Sequence, residues 1–411
     1  TACSEAARWP DGIRVAVNVS PIQFANPVLP ALVTSALAQS GIAPGRLEAI
    51  PWAATCIDCA PAAPPVPEFE ALEPGRMPPP EAAGEAPLVT LDDIRAAGRR
   101  LGGIALHTPL VEFSAGTPRI LLKAESLQPI GAFKIRGAYN AIAQLDPEAR
   151  ARGVVTHSSG NHAQGVARAA RILGVRATIV MPEDAPAVKR SRVEADGAEI
   201  VTVGIESRAR EEMAARLAAD RGLTMIPPYD DDRVIAGQGT CGLEIAEAVG
   251  DLALVLVPIG GGGLASGVAV AVRAIHPSAR IVGVEPEFAA DAAESLQLGR
   301  IVRWDGALTA RTIADGTRSQ AIGQRPFAHL SRLLDGIVTV SEKEIAVAMR
   351  LAAERARLIV EPSGALALAA AHFHGPELGL DRVAGTVVAV ISGGNVDPAR
   401  YRSLVETPDP A

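Results

Sequence analysis

One lysine of this chain stands in a setting that could support covalent chemistry. Lys134 lies within the stretch 131–138, which reads Gly-Ala-Phe-Lys-Ile-Arg-Gly-Ala and places the lysine between an aromatic and an aliphatic neighbour. Partial removal of water lowers the pKa of an ammonium group and makes a Schiff base with a carbonyl compound feasible. Taken alone, the same residue could be a surface lysine at the start of a helix.

A run of four glycines at 260–263 is the strongest candidate for an anion-binding site. It follows an apolar strand-like segment ending at Pro258 and precedes an apolar helical pattern that begins near Ala265. The backbone N–H groups of such a loop converge at a helix N-terminus, which suits a phosphate. No Lys-Ser/Thr pair follows, and the spaced Gly-x-Gly-x-x-Gly pattern is missing, so neither a Walker loop nor a dinucleotide site is indicated. The alternative is a tight turn from strand to helix.

Two further loops follow predicted strands. The stretch 157–165, His-Ser-Ser-Gly-Asn-His-Ala-Gln-Gly, leaves several amides free at the start of a helix, and such amides suit a carboxylate. The stretch 391–396, Ile-Ser-Gly-Gly-Asn-Val, ends the last strand, and parallel sheets carry their sites at such strand ends. Alone, the first loop could be a capped helix with Ser158 or Ser159 as the cap, and the second a plain turn.

The elements that must position these loops alternate between short apolar strands and Ala-rich amphipathic helices. Strands are predicted at 153–157, 177–181, 252–258 and 386–392. Short strands that are apolar on both faces and alternate with helices indicate a parallel sheet covered on both sides, so we predict an α/β fold. Thr90 is the predicted N-cap of the first helix, with Asp92 and Asp93 in its first turn.

Composition argues against several classes of protein. The 411 residues have a net charge of −7 and only 3% aromatic side chains, unlike most nucleic-acid-binding proteins. Four cysteines are too few for a disulfide scaffold, and no apolar run reaches the ~18–20 residues of a transmembrane helix. The segment 60–87, rich in Pro, Ala and Glu, predicts a flexible linker. We expect a cytoplasmic enzyme with neither nucleic acid nor membrane as a partner.

Taken together and in this order, the motifs resemble those of the fold-type II pyridoxal-phosphate enzymes, in the branch of threonine dehydratase and serine racemase. The resemblance covers about 88–403 and includes Phe-Lys-x-Arg-Gly-Ala, Ser-x-Gly-Asn-His-Ala-Gln, the four glycines, Glu-Pro-Ser-Gly-Ala at 361–365 and Ser-Gly-Gly-Asn. It implies a tryptophan synthase β-like fold of two parallel-sheet domains with helices on both faces. The large cofactor-binding domain would span 88–152 and 231–405, and a small mobile domain would span 153–230.

The resemblance also implies roles at the matching positions. Lys134 would bind pyridoxal 5'-phosphate covalently and then move the α-proton, and Phe133 would pack beside the pyridine ring. Asn161 would hydrogen-bond the ring 3-hydroxyl, and Ser392 would face the ring nitrogen. The phosphate would be held by the amides of Gly260, Gly261, Gly262, Gly263 and Leu264. A neutral hydroxyl at the ring nitrogen gives a weaker electron sink than a carboxylate, which favours elimination over transamination.

The substrate site implied by the resemblance includes Ser158, Ser159 and His162 around the substrate carboxylate. Arg208 resembles the arginine that serine racemases place near the substrate, although alone it could be a solvated helix charge. A hydroxyl at Ser159 would lie on the cofactor face opposite Lys134, and two bases on opposite faces permit racemisation as well as elimination.

The implied function is therefore that of a threonine/serine ammonia-lyase, which releases 2-oxobutanoate or pyruvate and ammonia from a hydroxyamino acid. Serine racemase and threo-3-hydroxyaspartate dehydratase are the enzymatic alternatives. A ligand-binding regulator derived from a dehydratase is the non-enzymatic alternative. Because dimers are usual in the family, we also expect a homodimer.

A divalent cation is the second expected cofactor. Glu285, the carbonyl of Ala289 and Asp291 match the spacing with which this branch binds Mg²⁺ or Ca²⁺. Oxygen ligands suit such hard cations, and the expected role is structural. The two carboxylates could equally be solvated.

The first 59 residues resemble a different protein family. The stretches 15–24 and 41–48, within about 14–48, resemble an internal fragment of an EAL domain, a bacterial cyclic-di-GMP phosphodiesterase module. The Glu-x-Leu signature is missing, and about forty residues cannot bury a core alone, so the fragment is predicted to be non-functional. Cys56 and Cys59 form a Cys-x-x-Cys pair without partners, so no zinc or redox site is expected there.

Overall fold

The computed structural model describes residues 87–410, except positions 159, 184, 186, 205 and 206. Ten strands in this part are β1 (Leu110–Ser114), β2 (Arg119–Ala124), β3 (Val154–His157), β4 (Ala177–Pro182), β5 (Glu199–Val203), β6 (Thr224–Met225), β7 (Leu252–Pro258), β8 (Arg280–Pro286), β9 (Gly336–Val340) and β10 (Thr386–Ile391). The α-helices of the same part are α1 (Leu91–Leu101), α2 (Lys134–Ala143), α3 (Pro147–Arg152), α4 (Asn161–Leu173), α5 (Ala187–Ala195), α6 (Ser207–Arg221), α7 (Asp232–Ala248), α8 (Gly263–Ile275), α9 (Asp291–Gln297), α10 (Gly306–Thr309), α11 (Gln324–Leu333), α12 (Glu342–Leu351), α13 (Pro362–Phe373) and α14 (Pro398–Val405).

The strands form two sheets, and the predicted α/β fold with parallel-sheet domains is confirmed. The larger sheet has the order β1-β2-β10-β7-β8-β9, in which only the edge strand β1 runs antiparallel to its neighbour. The smaller sheet has the order β5-β4-β3-β6, and all its strands are parallel. The four strands predicted from the sequence are all present, each within one residue of the predicted bounds.

The larger sheet is buried on both faces, as its apolar strands require. Side chains of β10 alternate between two cores: Val387 and Ala389 pack with α12 and α13, whereas Val388 and Val390 pack with α8, α9 and α11. This arrangement explains why β10 reads as a continuous apolar run rather than as an alternating pattern. It also places the ends of β7 and β10 next to each other in the middle of the sheet.

The smaller sheet shares its core with α2 and α4. Ile135 and Ile142 of α2 pack with Val154 of β3, Ile179 of β4 and Val166 of α4. The helix that begins at Lys134 is therefore held against the smaller sheet. The domain limits 88–152 with 231–405, and 153–230, stay predictions.

Local details of the described helices also match the sequence. Thr90 caps α1, and Asp93 completes a capping box with it, as its position in the first turn allows. Cys241 is fully buried in α7. None of the helices in the described part of the chain is long and apolar enough to cross a membrane.

Candidate active site

The lysine loop and the end of the last strand lie side by side. Ala132 forms an isolated antiparallel bridge with Gly393, which follows β10. The N–H of Phe133 donates to the carbonyl of Ser392 at 3.1 Å. Two segments that are far apart in the sequence therefore meet at the carboxyl end of the larger sheet, where parallel sheets carry their sites.

The amine of Lys134 is partly withdrawn from water. It is the first residue of α2, and its Nζ donates to the carbonyl of Pro228 at 2.7 Å. The ring centroid of Phe133 lies 5.0 Å from Nζ. Burial lowers the pKa of Lys134 to about 8, because a charged ammonium is poorly solvated there. The predicted desolvation is present, and covalent attachment of a cofactor stays a prediction.

The four glycines form a tightly packed loop, in which Gly261 and Gly262 leave no space for a Cβ. Gly262 has φ +91°, and a Cβ on Gly261 would overlap the ring of Tyr229. The helix α8 begins at Gly263 without a side-chain cap on its first amides. An uncapped helix start, lined by backbone alone, is a ready site for a phosphate. The loop therefore fits the predicted anion.

Asn161 opens α4 and is held from two sides. Its Nδ2 donates to Oε1 of Glu361 at 2.5 Å, and its Oδ1 accepts from Nδ2 of Asn395 at 2.9 Å. Burial raises the pKa of Glu361 to about 8, and nearby Asp315 adds to the rise, which the bond from Asn161 partly offsets. Glu361 is thus a mostly protonated carboxyl at neutral pH.

Ser392 is buried directly after β10. Its hydroxyl donates to the carbonyl of Ser363 at 3.3 Å, and the hydroxyl of Ser363 accepts from the N–H of Gly316 at 2.8 Å. Because the bond from Ser392 is long, its hydroxyl can turn to another acceptor at little cost. Ser392 therefore places a neutral hydroxyl at the end of β10, and its position beside a ring nitrogen stays a prediction.

Comparison with known proteins identifies the family. The family described as "Pyridoxal-phosphate dependent enzyme" matches residues 104–393. The chain belongs to this family. The cofactor of the family is consistent with the geometry, because a phosphate cradle, a desolvated lysine and a polar residue at Asn161 lie at one end of the sheets.

Relatives within this family carry different names. The chain is 43% identical over 320 residues to the L-threo-3-hydroxyaspartate ammonia-lyase of Saccharomyces cerevisiae. The alignment covers 77% of this chain and 96% of the relative. It is 41% identical to the serine racemase of Schizosaccharomyces pombe (76% and 96% covered) and 42% identical to the L-threonine ammonia-lyase of Thermotoga maritima (75% and 76% covered). Relatives named for three different activities have nearly the same sequence identity to this chain, so identity alone does not indicate the substrate.

Solved structures agree with the family. A threonine deaminase from T.th. is 45% identical, with a TM-score of 0.69 over 75% of this chain and 99% of that one. Serine racemase from Dictyostelium discoideum is 38% identical, with a TM-score of 0.70 over the same shares. The EAL resemblance of residues 14–48 finds no support in the comparisons, because the family match begins at 104, and those residues lie outside the described part.

The predicted substrate residues of this pyridoxal-phosphate dependent enzyme are only partly brought together. Ser158 lies at the end of β3, and its hydroxyl accepts from the N–H of Gly160 at 3.2 Å. His162 is buried in the first turn of α4, whereas Arg208 is exposed on α6 and pairs with Glu212 at 2.7 Å. Ser159 lies outside the described residues. The roles of all four stay predictions.

The imidazole of His162 is neutral. Burial lowers its pKa to about 3, and the nearby Lys134 adds to the effect. Its Nε2 lies 3.0 Å from the carbonyl of Ile226, so Nε2 must carry the single proton. Its Nδ1 is then an acceptor, and a carboxylate near His162 would have to bind backbone amides rather than the ring.

The two predicted metal-binding carboxylates are both fully buried. Glu285 accepts from the N–H groups of Ala292 at 3.1 Å and Ala293 at 2.8 Å. Burial raises the pKa of Asp291 to about 8, although amides of Asp291 itself and Ile322 offset part of the rise. Neither oxygen of Asp291 makes a well-formed hydrogen bond. Among the described residues, no group of three or more His, Cys, Asp or Glu side chains is arranged for a metal.

Four contacts at the site were missed from the sequence as functional features. Glu361 and Asn395 stand inside the quoted motifs, but nothing in a motif shows that both would reach Asn161. The Pro228 carbonyl and the Tyr229 ring contact Lys134 and the glycine loop from a segment without any motif. A pair of prolines before a run of aspartates, within 227–232, is the one signal in the sequence that marks this segment as constrained.

Proposed function

We propose that this enzyme is a pyridoxal-phosphate dependent ammonia-lyase acting on L-threonine and L-serine. The observation that carries the proposal is the pairing of a desolvated amine at Lys134 with a neutral hydroxyl at Ser392, joined through the bond from Phe133 to Ser392. A neutral partner at the ring nitrogen supports elimination of a β-hydroxyl over transamination. Membership of the family and the similarity to an L-threonine ammonia-lyase support the proposal.

The residues of the chain divide the binding of the cofactor among them. The amides of Gly260, Gly261, Gly262, Gly263 and Leu264 would hold the phosphate, because the loop is lined by backbone and α8 begins there uncapped. Phe133 would pack beside the ring, and Asn161 would donate to the ring 3-oxygen. When bound, the cofactor supplies an aldehyde that links to an amino group and a ring that withdraws electrons from the α-carbon.

Lys134 would act as the base that accepts the α-proton. Because the pKa of Lys134 is near 8, a substantial fraction of its amine is neutral at physiological pH. An ordinary lysine, with a pKa near 10.4, would be almost wholly protonated. A base matched to the working pH is the usual requirement for efficient proton transfer.

The substrate carboxylate would bind at the first turn of α4, beside Ser158 and the neutral His162. The N-cap Gly160 brings no side chain to the first amides of α4. Arg208 is exposed and paired with Glu212, so it does not serve as a cationic partner for a second substrate carboxylate. Threonine and serine have one carboxylate, whereas hydroxyaspartate has two and would require a second cationic partner.

Racemisation and hydroxyaspartate cleavage form the second candidate. Two observations favour it: the hydroxyl of Ser159 in the sequence, and the high coverage of relatives named for these activities. Ser159 would then act from the cofactor face opposite Lys134.

We also propose a divalent cation, Mg²⁺ or Ca²⁺, bound by Glu285, Asp291 and the carbonyl of Ala289. The two buried carboxylates support it, because the oxygens of Asp291 make no well-formed hydrogen bond and a cation would restore the charged forms of both side chains. Chelation followed by thermal unfolding tests the cation. We expect a melting temperature that falls with chelator and recovers with Mg²⁺, and an unchanged melting temperature would contradict the proposed cation.

The homodimer and the cytoplasmic location stay predictions from the sequence.

The function is tested by 2-oxo acid release. Purified enzyme with pyridoxal phosphate and Mg²⁺ is given L-threonine, L-serine or L-threo-3-hydroxyaspartate in turn. We expect 2-oxobutanoate from threonine and pyruvate from serine. Product from hydroxyaspartate alone would replace the proposed substrate, and D-serine formation without oxo acid would show a racemase.

A further inference from the structure

Four side chains from separate segments form a hydrogen-bonded chain that crosses between the two sheets. Arg192 on α5 donates from Nη1 to Oδ1 of Asn395 at 2.5 Å. Asn395 donates from Nδ2 to Oδ1 of Asn161 at 2.9 Å, and Asn161 donates from Nδ2 to Oε1 of Glu361 at 2.5 Å. Arg192 and Asn161 belong to the smaller sheet's helices, whereas Asn395 and Glu361 adjoin β10 and α13. Each of the three hydrogen bonds therefore links the smaller sheet's side of the molecule to the larger sheet's side.

The fixed partners of this chain determine which way each amide faces. Ile130 offers a carbonyl, so the Asn395 atom that lies 2.7 Å from it must be the nitrogen. A guanidinium has only donors, so the Asn395 atom that meets Arg192 must be the oxygen. The remaining N–H of Asn395 then meets an acceptor on Asn161, which turns the nitrogen of Asn161 towards Glu361. The orientation of both amides follows from the network and not from their shape.

This row of hydrogen-bonded side chains packs against the segment that leads into Lys134. Gly131 has φ +73°, and a Cβ there would come within 2.5 Å of Oδ1 of Asn395. The carbonyl of Gly131 accepts from the N–H of Gly394 at 2.9 Å. Asn395 therefore touches the segment that leads into Lys134 as well as Asn161.

The helix that carries Arg192 has an independent anchor to the larger sheet's side. Lys189, three residues earlier on α5, pairs with Asp315 at 2.8 Å, and both side chains are mostly buried. Removal of the Arg192 guanidinium should therefore leave α5 in place. Arg192 itself is exposed, so its substitution does not open a core.

We propose that Asn395 and Arg192 are positioning residues for Asn161. They hold its amide so that one N–H goes to Glu361 and the second is presented to the ring oxygen of the cofactor. Arg192 completes the arrangement from the smaller sheet, because its guanidinium is the donor that Oδ1 of Asn395 requires. The inference rests on the proposed function, which places Asn161 beside the cofactor.

The test compares two arginines of one helix in the holoenzyme. Arg192→Met removes the donor and keeps the aliphatic stem, and Arg192→Lys restores a donor. Arg190→Met is the matched control, because Arg190 donates a hydrogen bond to the carbonyl of Glu183 and makes no link to the larger sheet's side through it. The readouts are the ratio of the visible absorbance bands of the bound cofactor, the cofactor dissociation constant from equilibrium titration, and kcat separately from KM.

We expect Arg192→Met to alter the band ratio, to weaken cofactor binding about three- to tenfold and to lower kcat more than it changes KM. Arg192→Lys should recover most of the loss, and Arg190→Met should match the wild type. With Asn395→Ala, the double variant should be no worse than Asn395→Ala alone, because both act through one chain.

Three results would overturn the inference, and they are distinguishable. If Asn161→Ala alters the cofactor spectrum but Arg192→Met behaves like Arg190→Met, the positioning chain is wrong and the proposed function stands. If Asn161→Ala itself leaves the spectrum unchanged, Asn161 does not contact the cofactor, and both proposals fail at that residue. Strictly additive losses in the double variant would also contradict a single chain.

Discussion

The buried carboxyl of Glu361 should contribute to a fall in the stability of this protein as the pH rises, and Glu361→Gln should remove that contribution. Glu361 is 4% exposed, and burial, with Asp315 nearby, raises its pKa to about 8. The unfolded chain releases the proton near pH 4.5, whereas the folded one keeps it to about pH 8. The folded state therefore binds more protons between these values, and stability is lost as the pH rises through this window.

The magnitude follows from the difference between the two pKa values. Each pH unit in the window costs about 1.4 kcal/mol, so the loss is about 3 kcal/mol at pH 7 and about 5 kcal/mol above pH 8. Glutamine has the shape of a protonated glutamate, and its carbonyl can still accept from Asn161. Glu361→Gln should therefore equal the wild type near pH 4.5 and exceed its stability by these amounts at higher pH.

Urea unfolding of the holoenzyme at pH 5, 7 and 9 measures the effect. Glu183→Gln is the control, because Glu183 is exposed and its substitution should shift all three midpoints alike. Parallel pH curves for Glu361→Gln and the wild type would show that Glu361 is charged in the folded state, and the reasoning from burial would be refuted. Glu361→Ala should be destabilised by about 1–3 kcal/mol at every pH, because the donor of Asn161 loses its acceptor.

Three further predictions concern other parts of the molecule. Lys134→Ala should abolish both the visible absorbance of the bound cofactor and 2-oxo acid release, and retained turnover would contradict its assigned role. Gly261→Ala should weaken cofactor binding at least about tenfold in equilibrium titration, because its Cβ would overlap the Tyr229 ring, whereas unchanged binding would contradict the assigned cradle. Hydrogen bonds that His374 donates to the carboxylates of Glu344 and Glu377 raise its pKa to about 9, so its stabilisation is full below pH 6.5 and lost as the pH rises through 9. His374→Gln should therefore cost about 1–3 kcal/mol more at pH 6 than at pH 10, and an equal cost at both would refute the charge.

The sequence by itself determined the fold class and the positions of four of the ten described strands. Strands such as β7 and β10 are apolar at every position because both faces are covered, and that property is visible in a single segment. The lysine loop, the four glycines and Ser392 were also found from the sequence, because each adjoins a strand end or a helix start with a local signature. Their meeting at one sheet edge follows from parallel topology.

The protonation and orientation of side chains were decided only by the tertiary structure. The neutral state of His162, the raised pKa of Glu361 and the amide orientation of Asn161 each depend on partners from distant segments. Arg208 was a candidate substrate residue in the sequence, and only the fold shows it exposed and paired with Glu212. A sequence motif identifies a residue type, whereas its charge and hydrogen bonds depend on burial and neighbours that the folded chain brings together.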